Sequence, residues 1–475
     1  MSTSELFFFI VNTAILVFAV VISISYLWLA LMSSSALKKY IRNTRYVHFD
    51  SYVASPLAPK VSMIAPAYNE GLTVVENVKS LLALRYVNYE VIVINDGSKD
   101  DTIDKLIASF DMVRTHFYFE EKVACKPVRG VYRSKNPAYS NLWVVDKENG
   151  GKADALNAGI NVANGEFVAC IDVDCIIEPD AMLRMVKPMM EARKKRVIAS
   201  GGVVRIANNC HIEDGRLKHV NLPENQLAMF QVVEYLRAFI LGRMAWAKID
   251  GLLLISGAFG LFDREVVIQA GGYDHKTVGE DMELVVRMRR MMHERKEPYS
   301  VTFIPDPLCW TEAPESKQIL GRQRNRWTRG TIETLKFHKV MFFNPKFGLL
   351  GTLSYPYWFF FEWMAPLLEV TGLIYTIYLF AVGHINLAFF LLLLAMVYLF
   401  ALNISLFAIY SDLKTYDLYK NKRDQWRMIK SALIEPFLFH PFVVFHAILG
   451  NRDFLTGKKA WGQMTRTGFG GPAKK

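Results

Sequence analysis

At 475 residues with a net charge of +11, the chain has room for two or three domain-sized units. A composition 52% hydrophobic and 13% aromatic excludes an ordinary soluble enzyme. The positive balance suggests nucleic acid, but much of it flanks apolar runs, where each Lys or Arg gains about 1 kcal/mol from anionic lipid.

The first element is the uncharged run 6–32, "LFFFIVNTAILVFAVVISISYLWLALM", longer than the roughly 20 residues that cross a bilayer. It is too long for a signal peptide and has neither a basic start nor a small-residue cleavage site, so a retained transmembrane helix is expected. Lys38, Lys39, Arg42 and Arg45 follow it, which places 33–345 in the cytoplasm and the N-terminus outside. Strand and helix patterns then alternate. "KVSMIAPAYNE" (60–70) opens as a strand, "ENVKSLLAL" (76–84) has helical spacing, and "YEVIVIND" (89–96) is a buried strand. "DDTIDKLIASF" (100–110) and "KADALNAGINVA" (152–163) read as helices and "EFVACIDVD" (166–174) as a strand. This order implies an α/β domain with a mostly parallel sheet, whose ligands sit beyond the carboxyl ends of the strands. The stretch 111–146 is longer than such a fold needs; it admits a hairpin and has no assigned task. Apolar spans recur at about 357–382 and 387–410, joined through the short outside turn "GHIN". A last run, 432–450, is broken by two prolines and contains Glu435. The five cysteines form no C-x-x-C pair and read as reduced thiols.

Polar residues at strand ends carry the functional signal. Asn95 and Asp96 end "VIVI" and enter "DGSKDD", which is also ordinary turn chemistry. Asp172 and Asp174 end the next central strand two residues apart, a spacing that turns both carboxylates to one side and suits Mg²⁺ or Mn²⁺. An isolated D-x-D is common without a metal. "ENGGKADALNAG" (148–159) sets Gly150, Gly151 and Lys152 at a helix start, a place for a phosphate as well as a plain cap. Glu280 and Asp281 begin the helix in "GGYDHKTVGEDMELVVRMRR" (271–290), where acids suit the dipole and where one could deprotonate a hydroxyl. "QRNRWTRG" (323–330) packs three arginines and a tryptophan into eight positions. No second basic stacking surface accompanies it, so nucleic acid is not the expected partner.

In order, "PAYNE", "NDGSKDDT", "NGGKADALN", "DVD", "SGAFGLF", "GED" and "QRNRW" resemble the inverting, processive membrane glycosyltransferases of family 2, over about 60–330. These include poly-N-acetylglucosamine, hyaluronan, chitin and cellulose synthases, and the Q-R-x-R-W spelling leans to the first. The resemblance implies a cytoplasmic GT-A (Rossmann-like) domain inserted between an N-terminal transmembrane helix and a C-terminal helical membrane region. The boundaries would be 1–45 for the anchor and its basic flank, 46–338 for the catalytic domain and 339–356 for an interfacial helix. Two transmembrane helices at 357–410, a basic loop with an interfacial or re-entrant segment at 411–450, and a gating-like tail at 451–475 would complete it.

By motif, Ala65, Tyr68, Glu70 and Asp96 would hold the uridine of a UDP-sugar, and Lys152 its diphosphate. Asp172 would serve the nucleotide and Asp174 the divalent metal, Mg²⁺ or Mn²⁺. Asp281, with Glu280 beside it, would be the catalytic base; Gln323, Arg326 and Trp327 would line the acceptor and pyrophosphate. Arg324 and Arg329 are left as solvated or headgroup-touching residues. Glu362 and Glu369 would face the bundle interior or a pore. "WGQMTRTGF" resembles a gating loop, with Trp461 and Arg466 as its candidates, which requires a cytoplasmic C-terminus; 432–450 should then lie along the membrane or re-enter it. Only one N-terminal span is visible where some relatives have two, and no cyclic-nucleotide domain follows the last span. The expected partners are a UDP-sugar, leaning to UDP-GlcNAc, a polysaccharide or glycolipid acceptor and membrane lipid, with room for a small accessory membrane subunit. The expected location is the bacterial inner membrane. Two rivals stand beside the polymer synthase: single-sugar transfer to a lipid, and a transporter or scaffold on an inactive nucleotide fold.

Overall fold

The computed structural model describes residues 3–45, 55, 58–213 and 215–458. After helix α1 (Thr3–Thr44), strand β1 (Val61–Ala67), α2 (Val74–Leu82), β2 (Tyr89–Asp96) and α3 (Thr102–Ser109) open the α/β domain. A meander of β3 (Met112–Thr115), β4 (Val128–Ser134) and β5 (Leu142–Lys147) precedes α4 (Lys152–Val162), β6 (Phe167–Ile171), β7 (Ile176–Ile177), α5 (Ala181–Met190) and β8 (Arg196–Ile206). The hairpin β9 (His211–Glu213) and β10 (Arg216–His219) leads to α6 (Gln226–Tyr235), which continues through a π-helical turn (Leu236–Arg243) into α7 (Met244–Lys248). Strand β11 (Phe259–Asp263), α8 (Arg264–Gln269), α9 (Glu280–Glu294), β12 (Tyr299–Thr311) and α10 (Lys317–Phe337) complete the domain.

The main sheet has ten strands in the order β3-β4-β5-β2-β1-β6-β11-β8-β12-β7. Its centre is parallel: β1 pairs with β2 and β6, and β2 with β5. These strands are buried on both faces, which explains their continuous β-branched runs. The sheet as a whole is mixed, a correction to the mostly parallel expectation. β11 runs antiparallel to both β6 and β8, its two neighbours in the sheet. The stretch 111–146 supplies the antiparallel ladder β3–β4–β5 at one edge.

Among the described residues, three helices are long and apolar enough to cross a bilayer, and a bent pair makes a fourth unit if it acts as one span. The apolar part of α1 exposes Phe9, Ile24 and Leu31, and its C-terminal part packs on the domain through Trp28 against Trp246, centroids 6.0 Å apart. Segment Leu350–Trp363 and α11 (Ala365–Ala381) form a pair bent by 43°. Helix α12 (Leu387–Tyr416) exposes Leu392 and Leu399 and sends Asp412 into a buried ion pair with Arg205 of β8. Helix α13 is continuous over Lys422–Leu455, so Pro436 and Pro441 do not break it as their presence suggested. Each proline removes one backbone donor; the neighbouring Leu433 carbonyl accepts a hydrogen bond from Tyr398 Oη of α12 at 3.2 Å.

One face of α13 rests on the α/β domain along its whole length. Ser431 accepts from Gln226 at 3.1 Å, Phe439 lies 5.6 Å from Phe230, and Asp453 accepts from Asn325 at 3.1 Å. A helix of 34 residues is about 50 Å long. With both ends seated on one domain, its axis runs along that domain and not away from it. The opposite face shows Trp426, Leu433, Phe437 and Phe445 to the outside.

Candidate active site

The site forms where β1, β2, β6 and the N-termini of α4 and α9 meet. Ala65 is buried within β1 opposite Val93, so it offers wall and not a reaching side chain. Tyr68, just past the strand, is 45% exposed. The loops after β1 and β2 are tied together. Asn69 N–H donates to Ser98 Oγ at 3.0 Å, Glu70 N–H to Thr102 Oγ1 at 2.9 Å, and Gly71 N–H to Asp100 at 3.0 Å. Glu70 Oε2 also accepts from Thr73 at 3.2 Å. Burial opposes ionisation of Asp100, but the hydrogen bonds from Thr102 and Gly71 outweigh it and hold its carboxyl below the usual range.

Asp96 is buried and heavily engaged. It accepts from Lys147 Nζ at 2.8 Å and from the N–H groups of Gly150 and Gly151 at 2.9 and 2.8 Å. Lys147, fully buried, also meets Asp154 at 2.5 Å. Asp96 thus anchors the loop that presents the N-terminus of α4. Sequence reasoning missed Lys147; the available signal was a lysine ending the strand "LWVVDK" just ahead of the glycines at the start of α4.

Lys152, the first residue of α4, bridges three elements. Its Nζ lies 2.5 Å from Asp172, 3.5 Å from Glu280 and 3.4 Å from the Gly257 carbonyl. Burial alone would lower its pKa, but Asp172, Glu280 and Asp281 outweigh that and raise it above the ordinary lysine range. Asp281 accepts the Gly257 N–H at 2.9 Å. A side chain at Gly257 would sit 3.0 Å from Lys152 Nζ and 3.3 Å from Asp281 Oδ2, so this position admits only glycine without displacing one of them. Glu280 is 2% exposed; burial first, then Asp281, push its pKa up against the pull of Lys152 and Arg326. Its Oε2 and the Oε1 of Gln323 are buried with no hydrogen-bond partner among the described residues.

Oxygens of Asp172 and Asp174 and the sulfur of Cys175 lie within 4.8 Å of one another, so the two-residue spacing does bring both carboxylates together. The Cys309 thiol beside it, then burial, raise the Cys175 thiol well above its ordinary range. The donor set at neutral pH is therefore two hard carboxylates and a protonated sulfur, which fits Mg²⁺ or Mn²⁺ better than a thiophilic metal.

Helix α10 brings Arg326 into electrostatic reach of Glu280, and Trp327 is 39% exposed. The Glu280–Asp281 loop lies directly on α10. A Cβ on Gly279 would stand 2.7 Å from the Gly330 Cα, so both positions must lack side chains for this approach. Two neighbours depart from expectation. Arg324 is 4% and Arg329 3% exposed, neither solvated nor at a headgroup. Arg324 pairs with Glu234 at 2.5 Å; Arg329 donates to Asn325 at 3.0 Å and to the Lys458 carbonyl at 2.6 Å. Partners distant in sequence account for the burial. Arg243, in the π-helical turn, was also missed. Burial lowers it to about 10, against the pull of Asp281, Tyr235 and Glu362, and its Cζ lies 3.8 Å from the Phe239 ring centroid. Glu369 meets His440 at 2.7 Å. Trp461 and Arg466 lie outside the described residues.

An acid pair on a helix N-terminus, facing a lysine and two strand-end carboxylates across a Rossmann-like sheet, defines a GT-A glycosyltransferase domain. The model "Glycosyl transferase family 2" matches residues 62–116 and "Glycosyltransferase like family 2" matches 120–330. Together they take in more than half of the chain, which belongs to glycosyltransferase family 2. Among curated proteins, the poly-beta-1,6-N-acetyl-D-glucosamine synthase of Staphylococcus epidermidis is 28% identical over 308 residues, 62% of each chain. That of Staphylococcus aureus (strain COL) is 28% identical over 276 residues, 58% of this chain and 55% of the relative. The chain thus spans about three-fifths of the length of these relatives. Among solved structures, a mannosyltransferase from Pyrobaculum calidifontis in complex with GDP-Man and Mn2+ has 16% identity and a TM-score of 0.49, over 91% of this chain and 100% of that one.

Proposed function

We propose that this protein is an inverting membrane glycosyltransferase that moves a sugar from a UDP-sugar, with UDP-GlcNAc favoured, onto the end of a growing β-linked polysaccharide. The convergence of Asp172, Glu280 and the Gly257 carbonyl on Lys152, with Asp281 held by the Gly257 N–H, supports this reading most directly. The uridine lies against Ala65, Tyr68 and Glu70, with Asp96 fixing the loop below it. Lys152 and the N-terminus of α4 take the diphosphate. Asp172 and Asp174 would hold a divalent ion, which when bound would neutralise the leaving charge.

Asp281 takes the acceptor hydroxyl proton as that oxygen bonds to C1 and the C1–O bond to the diphosphate breaks, releasing UDP. Attack opposite an α-linked leaving group gives a β linkage. Gly257 N–H holds Asp281 in place for this step, and Glu280 and Arg326 set the charge around it. Gln323, Arg326 and Trp327 receive the acceptor terminus, the indole face suiting a sugar ring.

The likeness to poly-β-1,6-N-acetylglucosamine synthases supports the donor and the polymeric product. In the membrane, α1, the bent pair ending in α11, and α12 cross the bilayer. Helix α13 lies in the inner interface, its apolar face toward lipid, which keeps the C-terminus cytoplasmic. That location matches an export route for the product past Glu362 and Glu369. The protein purified in detergent, given UDP-GlcNAc, UDP-glucose, UDP-GlcA or UDP-galactose with Mg²⁺ or Mn²⁺, should release UDP with one donor and build a ladder of long products. A single glycolipid product would overturn the polymerase reading in favour of single-sugar transfer.

A further inference from the structure

The least expected feature around the site is the setting of Arg324. Its guanidinium carbon lies 4.2 Å from the centroid of the Trp327 indole and 5.8 Å from that of Phe439 of α13. A cation within about 6 Å of a ring face is held there by the ring quadrupole. Its sideways position is fixed by one carboxylate: Nη2 donates to Glu234 Oε2 at 2.5 Å.

Glu234 stands on α6, and its neighbour one turn on is also committed. Arg237 makes a two-pronged contact with Glu435 of α13, at 2.5 and 2.6 Å, and donates to Ser405 of α12 at 2.7 Å. Helix α6 and the π-helical turn that continues it thus carry two clamps three residues apart. One reaches the Arg324–Trp327 stack on α10; the other reaches the two membrane-side helices. Phe439, one turn beyond Glu435, closes the underside of the stack and contacts Phe230 of α6 at 5.6 Å. Glu234 is half-buried with its carboxylate committed to Arg324, and Trp327 is the exposed end of the ladder.

We propose that Glu234 is a positioning residue for the acceptor: by holding Arg324 under the indole of Trp327, it sets the angle at which that ring meets the acceptor sugar. This rests on the reading of Trp327 as the acceptor platform. Without the carboxylate, Arg324 can slide or rotate and the indole loses its backing. Acceptor affinity should therefore suffer while the donor side stays intact.

The test uses the full-length protein in detergent, UDP-GlcNAc as donor and a short β-linked N-acetylglucosamine oligosaccharide as acceptor. Trp327→Ala comes first, as a check on the platform. It should raise the acceptor KM; an unchanged value would refute the platform reading and the proposal with it. Glu234→Gln keeps the shape and removes the charge. It should raise the acceptor KM about five- to tenfold, with donor KM and kcat within about twofold of the parent. Glu234→Asp should recover part of the loss, and adding Glu234→Gln to Trp327→Ala should cost little more, since the two act through one ring. If Trp327→Ala raises the acceptor KM and Glu234→Gln does not, the platform stands and Glu234 has no role in it. Equal loss on donor and acceptor in Glu234→Gln would mark a structural residue and overturn the proposal.

Discussion

Asp281→Asn isolates proton removal from the rest of the site. In the parent, Asp281 accepts the Gly257 N–H at 2.9 Å and the Met282 N–H at 2.8 Å. An asparagine oxygen can keep the first of these, so the "SGAFG" loop and the Lys152 bridge to Asp172 should stay as they are. What disappears is a base able to take the acceptor proton. A positioned general base contributes about 10²–10⁴-fold, equivalent to about 3–5 kcal/mol of barrier. Turnover should fall by that factor, while UDP binding should not weaken, because the lost negative charge lies near the diphosphate site and would repel an anion there. UDP release at saturating donor and acceptor gives kcat, and calorimetric titration with UDP gives the affinity. Turnover within about threefold of the parent would refute the base assignment. Parallel loss of UDP binding would place Asp281 in nucleotide recognition instead.

Chelation by EDTA should stop UDP release and added Mg²⁺ or Mn²⁺ should restore it. Asp174→Asn should raise the metal concentration needed for half-activity by more than the roughly 10–100-fold seen for outer-shell changes, and an unchanged requirement would remove Asp174 from the metal site. The pH profile carries the mark of Glu280, whose pKa burial and Asp281 raise. If its ionised form is the active one, activity is present above that raised pKa and lost as pH falls through it. The acid limb of kcat/KM should therefore lie above the ordinary glutamate value of about 4.3. Glu280→Gln should shift or erase that limb; a limb that stays in place would assign it elsewhere. Lys147→Met leaves Asp96 and Asp154 buried without their shared cation. Breaking a buried pair this way costs about 3–5 kcal/mol, so the melting temperature in detergent should drop by several degrees, and an unshifted melt would contradict the anchoring role.

The parts of this molecule legible in the sequence are those set by local periodicity or by motif order. β2 falls on the expected 89–96, and α4 starts at Lys152 as its glycines indicate. The carboxylates of Asp172 and Asp174 converge because strand-end geometry is a local property. Failures came where the deciding partner is distant. Nothing near Arg324 in sequence announces Glu234, ninety positions earlier, and nothing near Lys147 announces that Asp96 and Asp154 neutralise it on both sides. β11 runs antiparallel to β6 and β8, a direction that a strand pattern does not encode. Pro436 and Pro441 looked like a break, yet α13 is continuous, packed against α6 and α10 on one side.

That packing bears on how the chemistry and the membrane are joined. Helix α10 holds Trp327 and Arg326 at the site, yet little of its own position comes from the sheet. Its start is held through Arg324 to α6, its middle lies against α13, where a Cβ on Gly450 would meet the Asn325 carbonyl at 2.9 Å, and its end backs the Glu280–Asp281 loop at Gly330. Helix α13 in turn is fixed to α12 and α6 through Glu435, Ser405 and Arg237. A shift of α12 or α13 therefore cannot stay in the membrane region. It must move α10, and with it the acceptor platform and the loop carrying Asp281. The nucleotide side, built from β1, β2 and α4, meets α10 through Lys152 and the Glu280–Asp281 segment, one step further away than the acceptor platform that α10 itself carries. Membrane composition should for that reason alter acceptor use before it alters donor binding. Parent protein compared in detergent and in anionic lipid nanodiscs should show a changed acceptor KM with the same UDP affinity; equal shifts in both would break the argument that the membrane acts through α10.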